Sequence, residues 1–163
     1  MGTRYEYKRR CGVKIAIGAD HRGYELKTRL AVFLKKEGHE IIDFGTDSAE
    51  PCDYPVIGYR VARAVSKNEA ARGMLICMSG IGMSIIANKV PGARAAICDT
   101  RDDAALSREH NDTNVIIISA KYVKDAPEDI LKVWLASDIK EERHKKRVAQ
   151  IMDIEKKILR GEM

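Results

Sequence analysis

A thiol, a hydroxyl and two glycines fall close together in the run Cys77-Met78-Ser79-Gly80-Ile81-Gly82. The residues before it, Met74 to Cys77, are a short apolar run, and those after it continue as an apolar helical pattern. The run therefore reads as a junction where a buried strand turns into a helix. The first N–H groups of a helix have no intrahelical acceptor, so such a junction presents donors and a positive dipole end beyond the strand. That field suits an anion. It also favours a thiolate, which can act as a base or a nucleophile.

Other reactive side chains each have a plain structural reading beside a chemical one. A buried Cys77 can be no more than a small hydrophobe. Asp20-His21 stands where a first strand meets a first helix, and Asp20 can simply cap that helix. His110-Asn111-Asp112 falls at a helix end, where a cation and Asn are ordinary C-terminal features. Arg143 and Arg147 are four residues apart, share a helix face and could grip one anion together, or could form part of a solvated basic face. Met74, Met78, Met83 and Cys98 are expected to pack, and Cys52 to lie in a solvated loop. None of the four histidines has metal-type spacing with another, so no metal ligand set is expected. Gly80 and Gly82 lack the third glycine of the dinucleotide fingerprint, so no nucleotide cofactor is expected.

Elements that could position these residues are legible along the chain. Val13–Ile17, Ile41–Phe44, Met74–Cys77, Arg94–Cys98 and Val115–Ser119 read as five short apolar strands. Helical patterns over Tyr24–Glu37, Val56–Val65, Gly82–Val90, Arg101–His110 and Glu128–Ser137 alternate with them, and a long helix is expected over Lys140–Leu159. Short apolar strands alternating with helices imply a parallel sheet covered on both faces. The expected fold is α/β, a three-layer αβα sandwich. Its core is a five-stranded parallel Rossmann-like (flavodoxin-like) sheet, with an extra C-terminal helix. Ligands in such sheets bind beyond the carboxyl ends of the strands. Those ends carry Asp20-His21, Asp53-Tyr54, Cys77 to Gly82, Asp99 and Ser119 to Lys121.

Composition sets the class. The chain has 163 residues, 45% of them apolar and 33% charged, which fits one soluble domain over 13–163 behind a flexible leader at 1–12. No apolar run approaches the roughly 20 residues of a membrane span. Four cysteines without CxxC spacing suit reduced thiols in the cytoplasm. The net charge of +5 gathers at the two ends. The basic run over 140–160 holds no Phe, Trp or Tyr, and a small anionic ligand is a better expectation than nucleic acid.

Gly18-Ala19-Asp20-His21, Asp53-Tyr54-Pro55 and Gly80-Ile81-Gly82-Met83-Ser84-Ile85-Ile86-Ala87-Asn88-Lys89 occur in that order. Ser107-Arg108-Glu109-His110-Asn111-Asp112-Thr113-Asn114 and Arg143-His144 follow. In these segments the chain resembles the type-B ribose-5-phosphate isomerases, the cysteine branch of the ribose/galactose-6-phosphate isomerase family, from about Val13 to Leu159. The resemblance implies interconversion of an aldose phosphate and a ketose phosphate through an enediolate, with no cofactor and no metal. It implies Cys77 as the base, since the branch that uses Glu has its carboxylate where this chain has Met83. It implies Ser79 as the hydroxyl that shuttles a proton between sugar oxygens, and the backbone of Met78, Gly80, Ile81 and Gly82 as an anion hole. His110 would open the ring, Asp20 and Asn111 would contact hydroxyls, and Tyr54 would wall the site. His21, Arg143 and Arg147 would hold the phosphate. The family builds this site from two subunits, so a homodimer or tetramer is implied.

Three features depart from the family pattern. Met78 stands where the cysteine branch has Gly, and its bulk could narrow the pocket or alter the dihedrals of the loop. Lys121 replaces a phosphate-binding Arg and loses the bidentate fork. Ser119-Ala120 replaces a glycine-bearing pair. The expected substrate pair is ribose 5-phosphate and ribulose 5-phosphate. The alternatives are another sugar phosphate (galactose or allose 6-phosphate, or a tetrulose phosphate) and a non-catalytic sugar-phosphate-binding paralogue.

Overall fold

The computed structural model describes residues 12–163. The expected leader over 1–12 lies, except for Gly12, outside the described residues. Five strands, β1 (Lys14–Ala19), β2 (Glu40–Asp43), β3 (Arg72–Cys77), β4 (Ala95–Ile97) and β5 (Val115–Ser119), form one sheet. Six helices alternate with and follow them: α1 (Tyr24–Lys36), α2 (Tyr54–Ser66), α3 (Ile81–Ala87), α4 (Arg101–Asn111), α5 (Pro127–Ala136) and α6 (Glu142–Leu159). Every strand pair is parallel. The spatial order is β2-β1-β3-β5-β4. This differs from the flavodoxin order in that β5 lies between β3 and β4. The order reverses between β1 and β3, and such a switch point leaves a crevice at the strand ends.

Successive residues of a strand face opposite sides of the sheet, and the apolar positions sort accordingly. Ile15, Ile17, Met74, Ile76, Ile116 and Ile118 join Leu30, Leu34, Ile130 and Trp134 in one core layer under α1, α4 and α5. Ala16, Leu75, Cys77, Val115 and Ile117 join Val61, Val65 and Met83 in the other, under α2 and α3. Burial on both faces is why these strands read as continuous apolar runs rather than alternating ones. Met83 and Met74, expected to pack, are fully buried.

Most element boundaries move by a residue or two relative to the expectation, and those of α2 and α3 have identifiable causes. Tyr54 belongs to α2, with Asp53 before it in extended conformation and a proline at the helix start, where a missing N–H costs nothing. The third helix stops at Ala87 rather than Val90. Asn88 explains the stop: its side-chain amide donates to the carbonyls of Ser84 and Ala95 and accepts from the Ala95 N–H. A short polar side chain thus replaces helix hydrogen bonds and braces β4.

Candidate active site

At the carboxyl end of β3 the thiol of Cys77 is 5% exposed and sits on the α2/α3 side of the sheet. The chain then turns sharply, with Gly80 in the left-handed region (φ 78°, ψ −21°), a conformation open to glycine at little cost. The turn sends the Gly80 N–H onto Cys77 Sγ at 3.2 Å. Ser79 Oγ accepts from the Ile81 N–H at 3.3 Å. Gly82 is needed for a different reason. A Cβ there would lie 2.6 Å from the Tyr54 ring, so its absence lets that ring close over the start of α3. Met78 does not enter the left-handed region: the non-glycine residues with positive φ among the described residues are Asn68 and Asp112. The methionine therefore stays out of the backbone region that favours glycine, and it is 38% exposed just beyond the end of β3.

Neighbouring loops lock onto this turn. The Ala120 N–H donates to the Cys77 carbonyl and the Lys121 N–H to the Met78 carbonyl. Ser119 Oγ lies within hydrogen-bond distance of the Ser79 carbonyl (3.1 Å) and of Asp99 Oδ2 (3.0 Å). The loop carrying Ser119-Ala120-Lys121 is thereby fixed to the thiol loop, and exposed Lys121 stands at the same edge, its Nζ 5.3 Å from the Tyr122 ring centroid. On the other side of β3, the Asp20 N–H donates to the Ile76 carbonyl at 3.3 Å. Asp20 Oδ1 accepts from the N–H groups of Arg22 and Gly23, each at 3.0 Å, so Asp20 holds the turn before α1 rather than capping the helix itself, whose N-cap is Gly23 without a side-chain cap. His21 Nδ1 accepts the Cys52 N–H at 3.3 Å. A neutral His21 must then carry its proton on Nε2, which leaves a donor for an anion. Cys52 is half-buried beside this histidine rather than solvated.

The remaining candidates lie elsewhere. α4 begins at the carboxyl edge, where the Arg101 N–H meets Asp125. Its 11 residues then run toward the opposite edge, about 16 Å at 1.5 Å per residue. His110 and Asn111 are at its far end. Arg94, which precedes β4, reaches the Asn111 and Asp112 carbonyls there. α6 lies along this amino edge, with Glu155 accepting from the Gly92 N–H and Met152 against Arg94. His144 of α6 stacks on His110, with centroids 4.1 Å apart and planes 16° apart. Arg143 and Arg147 flank it on exposed positions, and Arg143 Nε pairs with Glu141 at 2.6 Å. The structure therefore brings together Asp20, His21, Tyr54, Cys77 to Gly82 and Lys121 at one edge. It gathers His110, Asn111, Arg143 and Arg147 at the other.

Two residues of this amino edge had no role in the sequence reading. Arg108 is buried and donates to Asp112 Oδ1, the Thr113 carbonyl and the Ser137 carbonyl, which fixes the end of α4 and the approach to α6. His144 is the buried residue of α6. Burial lowers the pKa of His144, and the adjacent His110, Arg143 and Arg147 lower it further against the opposing pull of Glu141. Arg108 and His144 each sit inside a segment of the family pattern, but neither spacing announced a contact across elements. Cys98 is the counterpart of Cys77: burial pushes its thiol up to about 12, so it stays protonated and packs. No cluster of three or more His, Cys, Asp or Glu side chains suited to a metal ion occurs among the described residues.

Known proteins share this architecture. The sequence model of the family described as Ribose/Galactose Isomerase matches residues 15–151. The ribose-5-phosphate isomerase B of Escherichia coli is 43% identical over 145 residues, 88% of this chain and 97% of that protein. The ribose-5-phosphate isomerase B structure from Clostridium thermocellum superposes with a TM-score of 0.86 at 50% identity, covering 89% of this chain and 99% of its own. One from Mycoplasma genitalium, solved with bound ribulose-5-phosphate, gives 0.83 at 34% identity, covering 88% and 96%. With most of its length matched in both sequence and structure, the chain belongs to the ribose/galactose isomerase family.

Proposed function

We propose that the protein interconverts ribose 5-phosphate and ribulose 5-phosphate, with Cys77 as the base. The observation that carries this reading is the thiol at the end of β3, facing the start of α3 and receiving the Gly80 N–H at 3.2 Å. A sulfur held this way has its charged form supported by a backbone donor and by the helix start. In the reaction the thiolate takes the proton from C2 of the open aldose, and the electron pair moves onto the carbonyl oxygen to give an enediolate. Backbone N–H groups in the first turn of α3, which have no intrahelical acceptor, face that oxyanion. The Ser79 hydroxyl moves a proton between the two sugar oxygens, and the Cys77 thiol returns its proton to C1. No external oxidant or metal is required for this balance.

His110 opens the furanose by accepting the anomeric hydroxyl proton and supplying one to the ring oxygen. Asp20 and Asn111 contact hydroxyl groups, and Tyr54 forms a wall. His21, Arg143 and Arg147 hold the phosphate, with Lys121 adding charge without a bidentate fork. Because Cys77 and His110 lie at opposite edges of one sheet, the working site joins the carboxyl edge of one copy to the amino edge of a second. A homodimer, or a tetramer built from it, supplies both. Ile151, Ile154 and Ile158 on α6, about half exposed (49%, 47% and 61%), support this surface as one that meets another copy. A reduced, free thiol as base suits a cytoplasmic enzyme, and no helix among the described residues is long and apolar enough to cross a membrane.

The test is turnover of ribose 5-phosphate by purified protein without added metal, beside Cys77→Ala. The variant is expected to lose at least about a hundredfold in kcat while still binding the sugar phosphate. Undiminished turnover in the variant removes the thiol from the mechanism. Met78 at the rim favours one second reading, a sugar phosphate of different length, and a panel of tetrose, pentose and hexose phosphates decides it.

A further inference from the structure

α6 presents a run of charged residues to solvent, Arg143, Lys145, Lys146 and Arg147, and in their midst buries His144 to 5% exposure. Its Nε2 is fully enclosed without a hydrogen-bond partner. The nearest carboxylate oxygen, Glu141 Oε2, is 4.0 Å away, too far for a hydrogen bond. Burying an imidazole this way is unfavourable compared with an apolar side chain of similar size. Packing alone therefore does not account for a histidine here. What the ring does have is a face-to-face contact with His110 at 4.1 Å.

We propose that His144 is a positioning residue for His110: its buried ring fixes the plane of the second imidazole and gives it an uncharged stacking partner. This rests on the ring-opening role of His110 given above. Two parallel rings at this distance cannot both be cationic without strong repulsion, so the pair carries at most one proton charge. The surrounding charges decide which ring stays neutral. On its own helix and the turn before it, His144 faces Arg143 and Arg147, with Glu141 opposing them. Across on α4, besides His110, Arg108 is engaged with Asp112 and Asp138. Burial and both flanking arginines disfavour a charge on His144, so His144 is the ring that stays neutral. Ring opening needs a proton delivered along a fixed direction, and a ring free to swing wastes most encounters.

The experiment compares His144→Ala, which removes the stack, with His144→Phe, which keeps a flat ring without titration. With ribose 5-phosphate, His144→Ala is expected to lose about tenfold or more in kcat with KM changed by less than about twofold, and His144→Phe to recover to within about threefold of wild type. Unchanged kcat in the alanine variant overturns the proposal, and so does an equal loss in both variants with the fold intact. If the alanine variant does not fold, imidazole titration by NMR decides. Wild type should show a His144 step below the ordinary histidine range and coupled to that of His110, and His144→Phe should abolish the coupling. Two independent, ordinary titrations in wild type overturn the proposal. Because the titration needs no substrate, it stands even if wild type fails to turn over any sugar phosphate, an outcome that would sink the isomerase reading alone.

Discussion

The two edges of the sheet are built in different ways. The carboxyl edge relies on backbone: a left-handed glycine, N–H groups aimed at a thiol and a hydroxyl, and loops tied by main-chain hydrogen bonds. The amino edge relies on side chains: two stacked imidazoles, exposed arginines and a buried guanidinium that anchors the end of α4. Backbone donors are rigid and suit a small charge that must be met at a fixed point, such as an oxyanion. Long cationic side chains are adaptable and suit a phosphate that arrives from solvent. Neither edge holds both Cys77 and His110, so under the proposed mechanism each edge supplies half of a site.

The strongest way to break this comparison is to damage one edge in each of two chains. Cys77→Ala and His110→Ala are each expected to fall by about a hundredfold or more alone. Refolded together in equal amounts, they should recover about a quarter of wild-type activity. Half of the random dimers are mixed, and each of those has one of its two sites intact. No recovery, with mixed dimers demonstrated by mass, would place both residues in the site of a single chain.

Gly80→Ala tests how strictly the carboxyl edge depends on its backbone. Forcing a side chain to φ 78°, with Ile117, Ile97 and Ser119 within 3.2–3.3 Å of the new Cβ, should cost about 1–2 kcal/mol of stability. Because the Gly80 N–H meets the thiol, kcat should also fall by about tenfold or more, measured beside a denaturant melt. A stable variant with full activity would mean that this donor does not matter to the chemistry. Lys121→Arg is a smaller change at the same edge: a restored fork should lower KM for a sugar phosphate by about threefold, with kcat nearly constant. An unchanged KM puts Lys121 outside the phosphate's reach.

The amino edge makes the smallest prediction, one of pH. The folded-state pKa of His144 is below its ordinary value of 6.5, so the unfolded chain binds more protons between those two values. The contribution to stability is therefore present above about 6.5 and lost as pH falls through the window below it. His39, lowered chiefly by burial, adds a slope of the same sign. Denaturant midpoints taken from neutral to mildly acid pH should fall less steeply in His144→Phe than in wild type. Parallel curves would show that His144 titrates alike in both states.

Much of this could be read along the chain because the signals are local. β3 and β5 are apolar without interruption since both of their faces are covered, and the strand-to-helix turn at Cys77–Gly82 carries its own glycines. The run Ser107–Asn114 marked a family, and the matches in sequence and structure bear the family out. Boundaries were less legible where a single side chain decides them, as Asn88 does for α3 by replacing helix hydrogen bonds with bonds to β4. The pairing of β5 between β3 and β4 was not legible either, because strand order depends on which crossovers pack best and leaves no local mark.

The sequence alone determined the element types, the parallel sheet, the reactive turn after β3 and the family to which they belong, since period and turn chemistry act over a few residues. Only the tertiary structure decided which strands neighbour one another, and that α6 returns to stack His144 upon His110. Those are distances across elements, set by packing between segments far apart in the chain. No spacing along the sequence encodes them.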